Sequence, residues 1–268
     1  MTVGWETIRC MIWGKTYPEL SSHHTETVCT GAVLENGDAL RLYPVPLRYL
    51  EGEQQYRLYD IVEVDTMVNS KDQRPESRKI RADSLRIVGH VETDRDEWAQ
   101  RRIWIDRGKG TWHFKSMDNL RTREEETGQS MGFIDVGAVA GISLVPKPAS
   151  ERARHDEKWL EVSSQVDAFL PEYKSLDFIP VYIRLRWHCA DPCSVCSKTP
   201  HDMSVLDWGL IQLGRKEGWE AARAKLESLS ALKEHDFKLF VGNFFRHPKQ
   251  FGIIGLWYPR HSVQPSLF

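Results

Sequence analysis

The first ninety residues consist of short stretches in which apolar and polar residues interleave, with no helical pattern between them. This spacing predicts strands at residues 8–17, 27–34, 39–43, 59–68 and 85–91. Parallel neighbours in a sheet would need crossover helices to connect them. The segment therefore predicts a small β-barrel or sandwich rather than a parallel α/β sheet.

The clearest turn is Asn36-Gly37, between the predicted strands at 27–34 and 39–43. Asn and Gly adopt the positive φ angles that tight hairpin turns require. A β-hairpin is therefore predicted at this point.

The pattern becomes helical after residue 91. Thr93 and Asp96 resemble a capping box, and the helix that follows should end at Gly108. Ser116 is a candidate N-cap of a second helix ending near Gly128. Residues 92–130 are therefore predicted to form a helical connector.

The remaining residues return to strands with helices inserted among them. Strands are predicted at 132–145, 179–188, 238–245 and 252–257, and helices at 151–166, after Ser204 and at 219–229. The chain is thus expected to be mainly β with helical connectors (α+β). We expect an N-terminal β-barrel over residues 1–91 and a C-terminal β-barrel over 131–268, the second carrying an inserted Cys/His loop at 188–201 and a helical segment.

Four potential metal ligands lie close together in that inserted loop: Cys189, Cys193, Cys196 and His201. Thiolates and imidazole suit tetrahedral zinc, and short intervals through a Pro-containing loop allow one knuckle to surround the ion. The chain has five cysteines, an odd number, which favours a metal site over a disulfide framework. His188, which precedes Cys189, is an alternative fourth ligand.

The same cysteines have the Cys-x3-Cys-x2-Cys spacing, which resembles the cluster signature of radical S-adenosylmethionine enzymes. Val195 stands where that family usually has an aromatic residue, and no strand–helix alternation is visible. An iron–sulfur cluster of another kind, with His201 or another residue as fourth ligand, is therefore the alternative to zinc.

Basic and aromatic residues mix in residues 238–268, which contain no Asp or Glu. Cations that meet phosphates, and rings that stack on unpaired bases, are what a single-strand binding groove needs. The candidate nucleic-acid contacts here are Phe244, Arg246, Lys249 and Trp257, with Arg184 and Arg186 from the strand at 179–188. The alternative is that the rings belong to a core and the cations to an ordinary solvated surface.

A second basic segment spans residues 71–86 and has six cations against three carboxylates, a local charge of +3. It is predicted to be a loop whose Arg74, Arg78 and Lys79 could contact phosphates, although a solvated loop of mixed charge is the commoner case. The whole chain has a net charge of −2. Any nucleic-acid binding must therefore come from local patches.

Catalytic patterns are weak. Asp60, Glu63 and Asp65 could hold a divalent ion, but an exposed strand face explains them equally well. The sequence has no glycine-rich phosphate loop, serine nucleophile elbow or His-Glu-x-x-His helix. Whether the protein is an enzyme stays open, with the balance towards a binding protein.

The hydrophobic residues, 41% of the chain, are enough for one large or two small cores. No apolar stretch approaches the roughly 18 residues needed to span a bilayer, and charged residues interrupt the first fourteen positions. We therefore expect no membrane segment and a cytoplasmic location.

The last five residues contain Gln264, Leu267 and Phe268 in a Gln-x-x-Leu-Phe pattern. This resembles the peptide with which many bacterial replication and repair proteins bind the sliding clamp. Such a peptide places Leu and Phe in an apolar cleft while Gln sets the register. A tail packed on its own domain is the alternative.

Several longer motifs resemble a family of prokaryotic proteins with two OB-like barrels. They are residues 41–48 (RLYPVPLR), Gln55-Tyr56 with Tyr59-Asp60, residues 71–77 (KDQRPES), Met203-Ser204 with Asp207-Trp208, and residues 240–243 (FVGN) with 246–248 (RHP). The resemblance implies work with nucleic acids, and defence against foreign DNA as one setting; it assigns no catalytic residue.

The expected function is that of a nucleic-acid-binding or DNA-associated accessory protein, linked to defence or to replication and repair, which binds a single or double strand through basic and aromatic barrel faces. The alternatives are an interaction subunit of a larger complex that makes no nucleic-acid contact, and an iron–sulfur or metal-dependent enzyme.

Overall fold

The computed structural model describes residues 4–93, 98–108, 111–165 and 175–261. The strands within them are β1 (Glu6–Lys15), β2 (Glu19–Ser21), β3 (Thr25–Leu34), β4 (Ala39–Val45), β5 (Asp60–Val68), β6 (Ser77–Ile80), β7 (Arg86–His90), β8 (His113–Phe114), β9 (Met131–Pro146), β10 (Val181–Cys189), β11 (His201–Ser204), β12 (Lys238–Phe244) and β13 (His247–Trp257). The α-helices are α1 (Ala99–Arg107), α2 (Met117–Thr127), α3 (Ala149–Gln165), α4 (Trp208–Glu217) and α5 (Trp219–Leu229). Short 3-10 turns lie at Leu47–Tyr49, Gly52–Gln54 and Ala82–Ser84. The prediction of a mainly β fold with helical connectors is confirmed.

The N-terminal strands close into a five-stranded barrel. The pairing order is β1-β3-β4-β6-β5, and β5 pairs again with β1. β4 and β6 are parallel, whereas the other barrel pairs are antiparallel. Numbered within the barrel, the order is first, second, third, fifth, fourth and back to the first, which is the order of an OB fold.

The predicted hairpin is confirmed between β3 and β4. Gly37 adopts a φ of 92°, which its lack of a Cβ permits, and Val33 pairs with Ala39 across the turn. Alternate residues of these strands then enter the barrel. Its interior is apolar and includes Ile12, Val28, Ala32, Leu42, Val62 and Val64.

The basic segment at 71–86 is not the continuous loop that its composition predicts. It contains β6, whose backbone pairs with both β4 and β5. Ser77, the first residue of β6, is buried and donates a hydrogen bond to Asp72 at 2.7 Å. The strand forms because the barrel needs a fifth strand between β4 and β5 to close, a requirement that local composition does not report.

A second sheet contains β11, β10, β9, β12 and β13 in that order, with β8 parallel to β9. β9 is long enough to serve two partners: its first residues pair with β12 and its later ones with β10. An isolated bridge joins Val205 to Ile253 of β13, so the two ends of the sheet meet at one point. The C-terminal half is therefore a second sheet whose end strands meet at this bridge, and a full C-terminal barrel stays a prediction.

Two helix starts can be compared with their predicted caps. Ser116 caps α2 by accepting a hydrogen bond from the Asn119 amide, as predicted. The helix predicted after Ser204 begins later, because Ser204 pairs with Arg184 as the last residue of β11. Asp207 is the cap of α4 instead and accepts from the Leu210 amide at 2.9 Å.

The barrel and the second sheet share a buried aromatic core. Trp13 of β1 packs against Trp112, Phe133 and Phe240 with ring centroids 4.5, 4.8 and 4.7 Å apart. A Cβ built on Gly31 of β3 would collide with the Phe240 ring, so glycine is required for this close approach. The two halves consequently dock as one packed unit.

No described helix is both long and apolar enough to span a bilayer.

Candidate metal centre and nucleic-acid surface

The four predicted metal ligands come together at one end of the second sheet. Cys189 is the last residue of β10 and His201 the first residue of β11, and the antiparallel pairing of these strands sets Trp187 opposite His201. The loop between the strands then returns Cys193 and Cys196 to the same place. All four are buried, and their ligand atoms lie within 4.8 Å of one another.

The distances between these atoms suit a single metal ion. Cys189 Sγ lies 3.8 Å from Cys193 Sγ and 3.3 Å from His201 Nε2. Cys193 Sγ lies 2.9 Å from Cys196 Sγ and 3.2 Å from His201 Nε2. Tetrahedral zinc, with bonds of about 2.3 Å to sulfur and 2.0–2.1 Å to nitrogen, would set sulfurs about 3.8 Å apart and sulfur and nitrogen about 3.6 Å apart. The donor set fits one ion after shifts of up to about 1 Å.

Backbone groups further support the sulfurs. The Met117 amide, at the start of α2, donates to Cys189 Sγ at 3.3 Å, and the Cys196 amide donates to Cys193 Sγ at 3.2 Å. Such donors stabilise thiolates bound to a metal. The loop is tied to α2 by Asp118, which accepts hydrogen bonds from the amide and hydroxyl of Ser194.

The imidazole of His201 is in the form that binds metal. Burial lowers its pKa, so the neutral ring predominates near neutral pH. His188, the alternative fourth ligand, instead places Nδ1 3.0 Å from the Cys196 carbonyl oxygen. The Cys3His group therefore contains His201, and it could hold a metal such as zinc.

Arg74, a predicted phosphate contact, joins the barrel to the second sheet. Its guanidinium pairs with Asp72 at 2.6 Å, and Nη1 donates to the backbone and side-chain oxygens of Asn243 at 3.2 and 3.0 Å. Its cation also lies 5.6 Å from the centre of the Phe245 ring. Arg74 is therefore a bridge that sets the basic segment beside the β12–β13 hairpin.

Two of the three carboxylates of the basic segment point inward, whereas Asp83 is exposed. Asp72 and Glu76 are buried. Burial alone would raise the pKa of Asp72, but hydrogen bonds from Arg74 and Ser77 outweigh it, so the net pKa is lowered and the carboxylate stays ionised. Lys71 is exposed, and Arg78 and Lys79 are half-buried. The exposed surface of the segment is accordingly more positive than the net charge of +3 that its sequence gives.

The β12–β13 hairpin presents the second group of candidates. Arg246 and Lys249 are exposed, whereas Phe244 is half-buried. The ring with the largest exposure here is Phe245, at 58%, which was not among the sequence-derived candidates. β12 is buried without interruption from Leu239 to Asn243, so no pattern of alternation along this strand could have identified Phe245.

Three other candidates lie elsewhere. Trp257 is 2% exposed and packs 4.9 Å from Trp98 in the shared core, so its ring is not available to stack on a base. Arg186 is exposed, whereas Arg184 pairs with Asp202 at 2.9 Å. Both arginines lie on β10 opposite the later part of β9, whereas β12 pairs with the first residues of β9. Their part in binding stays a prediction.

The carboxylates of β5 do not form a metal site. Asp60 is buried and bonds to His90 Nδ1 at 2.6 Å, whereas Glu63 and Asp65 pair with Arg86 and Arg81 at 3.1 Å each. Among the described residues, the Cys3His group is where metal ligands gather. The tail with Gln264, Leu267 and Phe268 lies outside the described residues, so sliding-clamp binding stays a prediction.

The sequence and the structure were compared with known proteins. No curated protein matches the sequence. A solved structure of a replication protein A heterotrimer bound to single-stranded DNA is similar at 9% identity over 96% of this chain, with a TM-score of 0.24. This chain spans 66% of that chain's length. So low a TM-score supports no inference about fold or function.

Two family models match in succession along the chain. Residues 6–107 match a domain of unknown function, DUF8758, which covers the closed barrel and α1. Residues 113–268 match a second domain of unknown function, DUF8757, which covers the second sheet, the Cys3His group and the helices from α2 to α5. The second match spans more than half of the sequence, and the chain therefore belongs to the DUF8757 family.

Proposed function

We propose that the protein binds single-stranded nucleic acid along a surface shared by the segment at 69–79 and the β12–β13 hairpin, and that a structural zinc ion braces the second sheet. The observation that carries the proposal is the contact of Arg74 with Asn243, which joins two basic elements far apart in sequence. Such a protein would act as an accessory factor in replication, repair or defence.

The position of the first element supports this proposal. OB barrels bind oligonucleotides through their second and third strands and through the loops between strands one and two and between strands four and five. In this barrel the fourth and fifth strands are β5 and β6, and residues 69–76 connect them. The loop that carries Lys71 and Arg74 therefore occupies a position that serves binding in this fold.

The chemistry of the two elements is complementary. With Asp72 and Glu76 buried, the segment presents cations outward, and the hairpin adds Arg246 and Lys249 beside the exposed Phe245 ring. Phosphates would meet the cations, and an unpaired base could stack on the ring. A duplex offers no free base to such a ring, so a single strand is the preferred ligand.

The proposed zinc has a supporting role. Four buried protein ligands leave no open position for a substrate or water, which is the arrangement of structural rather than catalytic zinc. A cluster of several irons and sulfides would need its thiolates further apart than the 2.9 and 3.8 Å found between these sulfurs. Zinc is accordingly favoured over an iron–sulfur cluster.

Binding can be tested with a fluorescent single-stranded oligonucleotide at several salt concentrations. Because each neutralised phosphate contributes about 0.7 to the slope of log affinity against log salt, Arg246→Ala/Lys249→Ala should reduce that slope by about 1.4. The matched control is Lys216→Ala/Lys225→Ala, which removes two exposed cations from α4 and α5. This control should bind as the wild type does.

A wild-type protein that binds neither single strands nor duplex at low salt would overturn the proposal. The protein would then be better described as an interaction subunit of a larger complex.

A further inference from the structure

The second sheet covers part of the surface that OB barrels use for binding. On the outer face of β3 and β4, Gly31 lies against Phe240, and Arg41 is 3% exposed and donates to the Ser130 hydroxyl at 3.1 Å. Tyr43, two residues further along β4 on the same face, is 37% exposed. The cover therefore ends between Arg41 and Tyr43, which leaves the Tyr43 ring partly exposed.

The Tyr43 ring is anchored at its polar end. The Thr27 hydroxyl, on the neighbouring strand β3, donates to the Tyr43 hydroxyl at 3.3 Å, and Thr27 itself is buried. An anchored ring loses less conformational entropy when a ligand packs on it than a freely rotating one does.

Cations adjoin this ring. In the parallel β4–β6 pair, Arg41 aligns with Ser77 and Leu42 with Arg78, and the same register continued by one residue would align Tyr43 with Lys79. Lys79 forms no ion pair within the described part of the chain. Burial lowers the pKa of His24, and the charges of His23 and Lys79 lower it further, so Lys79 lies near the β2–β3 turn.

We infer that Tyr43 is a stacking platform for an unpaired base and that Lys79 contacts an adjacent phosphate. This inference rests on the proposed single-strand binding and extends its path. The bound nucleic acid would run from the hairpin past the segment at 69–76 to Tyr43 and Lys79.

Oligothymidine and an abasic oligonucleotide with the same number of phosphates separate stacking from charge. Tyr43→Ala should weaken binding of the oligothymidine by about 5- to 150-fold, the range of one base–aromatic stack, and leave the abasic strand unaffected. Tyr43→Phe keeps the ring but loses the hydrogen bond from Thr27, so it should bind oligothymidine much more tightly than Tyr43→Ala does and the abasic strand as the wild type does. Lys79→Gln should reduce the salt slope by about 0.7.

A photocrosslink that needs no variant gives an independent readout. With 5-iodouracil in the oligonucleotide, the crosslinked peptide of the wild-type protein should contain residue 43. The inference is wrong if Tyr43→Ala weakens the binding of both oligonucleotides equally, or of neither, and no crosslink reaches residue 43. This holds even if the wild type binds single strands and Arg246→Ala/Lys249→Ala reduces the salt slope as expected. If the wild type binds neither oligonucleotide, the proposed function itself fails, and the inference fails with it.

Discussion

Replacing Cys193 by serine should release the metal and destabilise the second sheet. Cys193 Sγ is central to the site, within 3.8 Å of the ligand atoms of Cys189, Cys196 and His201. A serine hydroxyl has a similar size but does not ionise near neutral pH, so it is a poor zinc ligand. The variant thus removes a metal bond while it changes the packing little.

The size of the effect follows from how the loop is otherwise held. Structural zinc contributes about 10–16 kcal/mol in zinc-finger peptides, which have almost no other structure. Here the loop also has the Ser194–Asp118 contacts and backbone bonds from Ala190 to Asp135 and from Asp191 to Lys115. We therefore expect a smaller loss, about 3–5 kcal/mol, which at about 2–4 °C per kcal/mol corresponds to a melting temperature lower by about 6–20 °C.

The assay combines metal content, calorimetry and hydrogen exchange. Wild-type protein purified under reducing conditions should hold one zinc per chain and no iron absorbance, and Cys193→Ser should hold substantially less. Amide exchange should accelerate in β10 and β11 far more than in the N-terminal barrel, because the barrel has a separate apolar core. Cys29→Ser, at a half-buried thiol outside the cluster, is the matched control.

Two results would refute this reasoning. A metal-free, fully reduced wild type with an unchanged melting temperature would show that the metal does not support the fold. Full zinc content in Cys193→Ser would show that the ligand set is misassigned.

Two further predictions concern the junction between the halves. Gly31→Ala should lower the free energy of unfolding by about 1–3 kcal/mol, because the added Cβ meets the Phe240 ring. In a Phe240→Ala background this loss should be smaller by at least about 1 kcal/mol. A double-mutant cycle in urea unfolding measures the coupling, and additive effects would contradict the contact. Burial raises the pKa of Asp207 to about 6, above its unfolded value of 3.8, so its contribution to stability is present below about pH 4 and is lost as the pH rises through 6. Asp207→Asn keeps an N-cap but does not titrate. As the pH rises from 4 to 7.5, the free energy of unfolding of the variant, measured in urea, should increase by about 2–3 kcal/mol relative to that of the wild type. Parallel pH profiles of the two proteins would argue against this assignment.

The features that the sequence determined by itself are those that depend on neighbouring residues. The Asn36-Gly37 hairpin and the Ser116 cap form as predicted, since a turn or a cap involves only a few adjacent backbone groups. The Cys189–His201 group also came together, because its ligands are at most twelve positions apart and one pair of antiparallel strands is enough to join them.

Elements whose conformation depends on distant partners were harder to predict. β6 has the composition of a polar loop and becomes a strand because β4 and β5 supply pairing partners on both sides. Ser204 is a good helix cap by composition, but its pairing with Arg184 keeps it in β11, so Asp207 caps α4.

Only the tertiary structure decided which aromatic and basic residues face solvent. Trp257 and Phe245 lie in one aromatic-rich segment, yet docking of the two halves buries Trp257 and leaves Phe245 exposed. Arg74 bonds to Asn243, 169 residues away, and the second sheet covers Arg41 but not Tyr43. Composition cannot report these outcomes, because the exposure of a ring and the partner of a charge depend on surfaces that meet only after both halves have folded and docked.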